Sequence, residues 1–118
     1  MKPIAYIAGR YTADTRAMTD LNIQAAKHCA LILFEKGYFP LTPHLNTAHF
    51  DDYVGMPVEF YYEHYIHIMK KCADIVVCVQ GYKESEGALG EIEASEKQPG
   101  IRIYYSVDDV PVAVNNGL

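Results

Sequence analysis

The segment from Gly81 to Glu91 contains residue types that bind anions or attack an electrophilic carbon. Gly87 lets backbone N–H groups approach a ligand closely, and Ser85 can cap a helix or donate to an anion. Glu91 lies four residues after Gly87, so a helix places both on one face. A carboxylate near a helix N-terminus is expected to stay ionised, which suits a nucleophile. A Ser-capped helix with acidic residues in its first turns explains the same spacing without any chemistry.

Two other segments carry candidate substrate-binding residues. Gly9, Arg10 and Tyr11 follow the first apolar run of the chain, and His44 follows the second. The Arg10 guanidinium can pair with a phosphate through two hydrogen bonds. For His44, a ligand contact and a loop-structuring role are equally compatible with its position. The five histidines fit no standard zinc spacing, so we expect no metal.

Short apolar runs alternate with helical patterns along the chain. The runs at residues 3–8, 38–41, 75–79 and 101–105 predict strands. Three-and-four-residue spacing predicts helices at about 19–36, 57–72 and 86–97, with a loop at 44–55 and a capped turn at 106–110. On the first helix the apolar stripe is Met18, Leu21, Ala25, Cys29 and Leu33; on the second it is Tyr65, Ile68, Met69 and Cys72.

This alternation predicts an α/β fold with a parallel sheet of four or five strands between two helical layers. Ligands of such sheets bind beyond the carboxyl ends of the strands. The loops after the first three strands are therefore expected to converge on one cleft.

Composition places further limits on function. The chain has 118 residues, half of them hydrophobic, and a formal net charge of −5, which predicts a single globular domain over residues 1–118. The acidic charge disfavours a duplex nucleic-acid partner. No apolar run is long enough for a membrane span or a signal peptide, so we expect a cytoplasmic protein without a membrane partner. Cys29, Cys72 and Cys78 are expected to be buried reduced thiols.

Ten tyrosines are many for this length, and three of them cluster with Phe60 at positions 61, 62 and 65. We interpret this stripe as core or subunit interface rather than as a platform for stacking bases. It predicts a homo-oligomer, a dimer or higher. The amides in the tail at 112–118 could reach across to a partner copy, although a frayed terminus is the simpler alternative.

Four motifs in order resemble one family. They are the run from Tyr6 to Tyr11, Pro43-His44-Leu45, the strand start at residues 72–77, and Ser85-x-Gly87-x-x-x-Glu91. Together they resemble the nucleoside 2-deoxyribosyltransferase superfamily, which includes the 2′-deoxynucleoside 5′-monophosphate N-hydrolases. The likeness is greatest to a small bacterial and phage branch and covers about residues 4–105.

The resemblance implies a flavodoxin-like three-layer sandwich and an enzyme, without a cofactor, that acts on a small nucleoside or nucleotide. Glu91 matches the glutamate that attacks the sugar C1′, so a covalent glycosyl-enzyme is implied, which water or a second base resolves. Ser85 matches a residue that helps to hold a 5′-phosphate. Gly9 and Tyr11 match the loop that lies against base and sugar.

Two positions depart from the family pattern. The family's aspartate on the helix before the third strand, which assists protonation of the base or orients the sugar, falls on Ile66. The nearest ionisable groups are His64 and His67, and the nearest acids are Asp51 and Asp52, which are also explained as surface residues. Arg10 stands where the branch often has proline, which favours a nucleotide over a nucleoside.

Three functions follow from these observations. The first is cleavage or transfer at the N-glycosidic bond of a 2′-deoxynucleoside or its 5′-monophosphate. The alternative is a non-catalytic nucleotide-binding module that keeps the cleft, and a third is another nucleotide-processing enzyme that uses it. The sequence leaves open the base, the acceptor of the sugar and the general acid.

Overall fold

Four parallel strands form one sheet in the computed structural model, which describes residues 1–114. The strands are β1 (Ile4–Ala8), β2 (Phe39–Leu41), β3 (Ile75–Cys78) and β4 (Arg102–Tyr104), in the order β2-β1-β3-β4. The helices are α1 (Arg16–Glu35), α2 (Pro43–Asn46), α3 (Val58–Cys72) and α4 (Glu86–Glu96). The predicted α/β fold with a parallel, flavodoxin-like sheet is confirmed. The four tail residues 115–118, on which the prediction of a reaching terminus partly rests, lie outside the described residues.

The two central strands bring their carboxyl ends together. β1 and β3 pair in register from Ala5 opposite Ile75 to Ala8 opposite Cys78. All four β3 residues are buried, as their continuous apolar run predicts. Directly after this pair, a Cβ on Gly9 would lie 2.8 Å from the Val79 Cβ. Only glycine therefore lets the loop after β1 pass this close to β3.

Helix α1 covers one face of the sheet. Its N-cap is Thr15, whose side chain accepts from the Met18 N–H, so the helix begins three residues before the predicted start. Its buried residues are Ala26, Cys29, Ala30 and Leu33. The predicted stripe is wrong in its first half, where Met18, Leu21 and Ala25 are exposed. A helix of 20 residues spans about 30 Å, which is longer than any strand here, so its first turns extend past the sheet.

Helices α3 and α4 cover the opposite face. Met69 of α3 and Ile92 of α4 pack against Tyr6, Val76 and Cys78. Of the predicted α3 stripe only Met69 is fully buried, while Tyr65 and Ile68 are half-buried and Tyr65 packs against the same core. Cys72 is exposed at the last residue of α3, so the expectation of a buried thiol is wrong there. Cys29 and Cys78 are buried and free, as predicted.

The segment predicted as a loop at 44–55 contains two short helical elements. They are α2 and a 3-10 turn at Phe50–Asp52, both too short for a periodic pattern to reveal. Pro57 is the N-cap of α3 rather than its first helical residue. The predicted capped turn near the C-terminus is confirmed at Val107–Asp109, where Ser106 accepts from the Asp108 N–H. No helix of residues 1–114 is both long enough and apolar enough to cross a bilayer.

Candidate active site

A cavity of about 840 Å³ lies at the carboxyl ends of β1, β2 and β3. Each of the three predicted loops contributes to it. Six of the predicted site residues line it, namely the catalytic candidate Glu91 and the binding candidates Gly9, Tyr11, His44, Ser85 and Gly87. The expected convergence of three loops on one cleft is confirmed.

Glu91 is the most buried carboxylate in the cavity wall. It lies in the second turn of α4 and is 9% exposed, and the Tyr6 hydroxyl donates a hydrogen bond to it. Burial raises the pKa of Glu91 to about 7, although the hydrogen bond from Tyr6 lowers it. The expectation of a fully ionised carboxylate is therefore corrected, since desolvation outweighs the favourable potential of the helix N-terminus.

Tyr6 was not among the site residues predicted from the sequence, although its hydroxyl contacts Glu91. Its side chain is fully buried on the α3–α4 face of β1. Burial raises its pKa, and so does the neighbouring Glu91 charge, so the hydroxyl stays protonated and remains a donor. The signal in the sequence was a tyrosine inside a buried apolar run, because a buried phenol requires a hydrogen-bond partner.

The raised pKa of Glu91 makes stability depend on pH. The folded protein holds this proton more tightly than the unfolded chain, whose ordinary value is 4.5. The stabilising effect of protonation is complete below pH 4.5 and is lost as pH rises to about 7. We expect urea denaturation to show that, between those pH values, the free energy of unfolding of Glu91→Gln rises by about 3 kcal/mol relative to that of wild type. An unchanged difference across this range would contradict the burial of an ionisable Glu91.

Ser85 and Gly87 shape the start of α4. Ser85 is its N-cap, and the Oγ atom accepts from the Ala88 N–H at 3.1 Å. The capping role considered for Ser85 is therefore present, and its hydroxyl proton remains free to donate. A Cβ on Gly87 would lie 3.9 Å from the Ser85 Oγ, so packing does not require glycine there. Gly87 instead leaves the backbone open to the cavity.

His44 both supports the loop after β1 and lines the cavity. It is 4% exposed, and its Nε2 atom lies 3.1 Å from the Gly9 carbonyl oxygen and 3.2 Å from that of Arg10. Because both partners are acceptors, Nε2 carries the proton. Burial lowers the pKa of His44, which keeps the ring neutral. Its Nδ1 atom is the one buried side-chain nitrogen or oxygen without a partner in the described part of the chain.

The segment after α2 is fixed to the start of the chain by polar contacts. The Tyr11 hydroxyl accepts from the His49 N–H at 2.7 Å, and the His49 ring lies 2.5 Å from a carboxylate oxygen of Asp20. Asp52 is hydrogen-bonded to Arg16. These contacts hold Asp51 at the cavity wall.

Arg10 lies beside the cavity rather than in its wall. Its Nε donates to the Thr12 carbonyl at 3.3 Å, and its guanidinium lies 3.7 Å from the Glu84 carboxylate. Among the candidate residues it is the one that does not line the cavity.

Three tyrosines of α3 form one side of the cavity. Tyr61, Tyr62 and Tyr65 line it, whereas Phe60 is 42% exposed. Tyr65 also packs against the core cluster that contains Met69 and Ile92, as the core interpretation predicts, whereas a subunit interface stays a prediction. A Cβ on Gly90 would overlap the Tyr62 ring, so this mid-helix glycine is explained by the packing of α3 against α4.

One comparison with known proteins identifies the family of the chain. A family model described as Domain of unknown function (DUF7768) matches residues 3–106. The chain belongs to this family. No curated protein matches it. The matched span includes all four strands of this DUF7768 protein and the three loops that line its cavity.

In this DUF7768 domain, the positions considered for a proton donor are divided between two cavities and the exposed surface. Ile66 lines a smaller cavity of about 460 Å³ between α3 and α4. His64 and His67 are exposed and line neither cavity. Asp51, Glu59 and Glu86 line the larger cavity with Glu91. Within residues 1–114, no three His, Cys, Asp or Glu side chains form a group suited to a metal ion.

Proposed function

We propose that this protein cleaves or transfers at the N-glycosidic bond of a 2′-deoxynucleoside or a 2′-deoxynucleoside 5′-monophosphate. The observation that carries the proposal is a buried Glu91 carboxylate, oriented by the Tyr6 hydroxyl, in the wall of a cavity at the carboxyl ends of the strands. The resemblance to the nucleoside 2-deoxyribosyltransferase superfamily supports the same assignment.

The chemistry follows the logic of a retaining glycosidase. The ionised Glu91 carboxylate attacks C1′, so a C1′–O bond forms while the C1′–N bond breaks and its electron pair leaves with the base. Water or a second base then attacks C1′ and releases the carboxylate. Tyr6 orients the attacking oxygen, and the tyrosines of α3 offer flat surfaces for the base. The cavity volume is in the range of small-molecule sites.

The leaving base needs a proton, and the structure narrows the candidate donors. Asp52 is occupied by its hydrogen bond to Arg16, whereas Asp51 lines the cavity. Glu59 and Glu86 line the cavity as well. Of the two acids that the sequence singled out, we assign proton donation to Asp51, in place of the aspartate that the nucleoside 2-deoxyribosyltransferase superfamily carries at the position of Ile66.

The alternative is a nucleotide-binding module without catalysis. It is favoured by Ile66, which stands where the nucleoside 2-deoxyribosyltransferase superfamily carries its aspartate and which lies outside the main cavity. Binding of nucleosides without release of free base would support this alternative.

Product analysis distinguishes the two functions. We expect that incubation with a panel of 2′-deoxynucleosides and their monophosphates releases free base, detected by chromatography. Ribonucleosides should react at least tenfold more slowly, because a 2′-hydroxyl withdraws electron density from the oxocarbenium-like transition state. Equal rates on adenosine and deoxyadenosine would contradict the proposed reaction.

Association into a homo-oligomer remains part of the proposal. Exposed apolar side chains cluster before and at the start of α3, namely Phe50, Tyr53, Val54, Val58 and Phe60. Burying such side chains between two copies is a common basis for symmetric dimers. Light scattering at high protein concentration measures this directly, and a monomer mass would contradict it.

A further inference from the structure

We infer that the cavity selects an unphosphorylated nucleoside and excludes the 5′-monophosphate, an inference that rests on the proposed function and names its substrate class. Four carboxylates line the cavity, from Asp51, Glu59, Glu86 and Glu91. Within residues 1–114, no lysine or arginine lines it. The cavity therefore presents a negative potential to whatever enters.

A phosphate monoester brings close to two negative charges into this potential. A cavity lined by one sign of charge concentrates ligands of the opposite sign and repels ligands of the same sign. In a water-like dielectric, one carboxylate at about 8 Å from a dianion changes its affinity by about fivefold. Several carboxylates acting together therefore strongly favour the nucleoside over its monophosphate.

The groups nearest to the cavity that favour an anion are already engaged. Arg10 contacts the Glu84 carboxylate and the Thr12 carbonyl, and it does not line the cavity. At the start of α4, the Ser85 Oγ accepts from the Ala88 N–H, and Glu86 supplies a negative charge in the first turn. The positive end of this helix is thus partly neutralised by the protein itself.

The carboxylates of the cavity wall favour a ligand that donates hydrogen bonds to them. Ionised carboxylates only accept hydrogen bonds, so a ligand group placed against them must donate. A free 5′-hydroxyl donates a hydrogen bond, whereas a phosphate dianion in its place only accepts. An unphosphorylated nucleoside therefore suits the negative wall better than its monophosphate.

Competitive binding at two salt concentrations tests the inference. We expect isothermal titration with the full chain to show each deoxynucleoside binding at least tenfold more tightly than its monophosphate at low salt. Raising the salt to about 0.3 M should reduce the ratio of nucleoside to monophosphate affinity, because salt screens the repulsion between the phosphate and the carboxylates. Glu59→Gln combined with Glu86→Gln should improve monophosphate affinity about tenfold and so reduce the preference for the nucleoside.

Matched controls and contrary outcomes are available on the same helices. Glu63→Gln and Glu93→Gln remove exposed acids of α3 and α4 that do not line this cavity, so neither should change the ratio. Equal or tighter monophosphate binding at low salt overturns the inference, and so does failure of both ligands to bind. Selective nucleoside binding without release of base supports this inference while it contradicts the proposed catalysis, so the two failures are distinguishable.

Discussion

Replacing Glu91 by glutamine is expected to lower kcat/KM for deoxynucleoside cleavage by about three orders of magnitude or more. Glutamine keeps the shape of the side chain and can still accept from Tyr6, but it has no negative charge with which to attack C1′. Because the ionised carboxylate is destabilised by burial, the variant should fold at least as well as wild type near neutral pH. The assay is steady-state release of free base, with circular dichroism to confirm the fold.

The matched control is Glu93→Gln. Glu93 lies two residues further along α4, is exposed and pairs with Lys97 rather than facing the larger cavity. Its replacement should leave turnover within twofold of wild type. Wild-type turnover by Glu91→Gln would show that another group attacks the sugar.

Removing the Tyr6 hydroxyl is expected to shift the pH dependence of the reaction as well as its rate. The hydrogen bond from Tyr6 lowers the pKa of Glu91 against the effect of burial. In Tyr6→Phe the rising limb of kcat/KM, which for wild type is expected at about pH 7, should therefore move to higher pH. The loss of a hydrogen bond to a charged group should reduce kcat/KM near neutral pH by about tenfold or more.

Tyr38→Phe provides the control for loss of a buried phenol. Tyr38 is also buried, but its hydroxyl donates to the Pro111 carbonyl on the α1 side of the sheet. Its replacement should lower stability without moving the pH profile. An unchanged profile in Tyr6→Phe would mean that Tyr6 only fills space.

Strand positions and the convergence of loops follow from local patterns in the sequence. The continuous β-branched run at β3 and the glycine after β1 fix the sheet and its ligand edge. The first turns of α1 could not be assigned correctly, because Met18 and Leu21 match helical spacing but extend past the sheet. Whether these residues are buried depends on the length of α1 relative to the strands, and the spacing of apolar residues within the helix carries no information about that.

The candidate site was predictable only in part for the same reason. Glu91 and the loop residues were identified from their order along the chain, but their surroundings depend on long-range packing. The hydrogen bond between Tyr6 and Glu91 joins residues 85 positions apart, and it lowers the pKa of the carboxylate against the larger effect of burial. The sequence likewise could not distinguish the roles of Asp51 and Asp52, because the hydrogen bond from Arg16 to Asp52 depends on the fold.

The most direct test is to locate the sugar on the protein. The enzyme is mixed with a reactive 2′-deoxynucleoside, quenched in acid and digested with trypsin, which releases the peptide of residues 84–97. We predict that this peptide gains the mass of one deoxyribosyl group and that fragmentation places it on Glu91 rather than on the four other glutamates of the peptide. The Glu91→Gln protein should give only the unmodified peptide. Base release by wild type with no adduct under any quench time, or an adduct on another residue, would contradict the account.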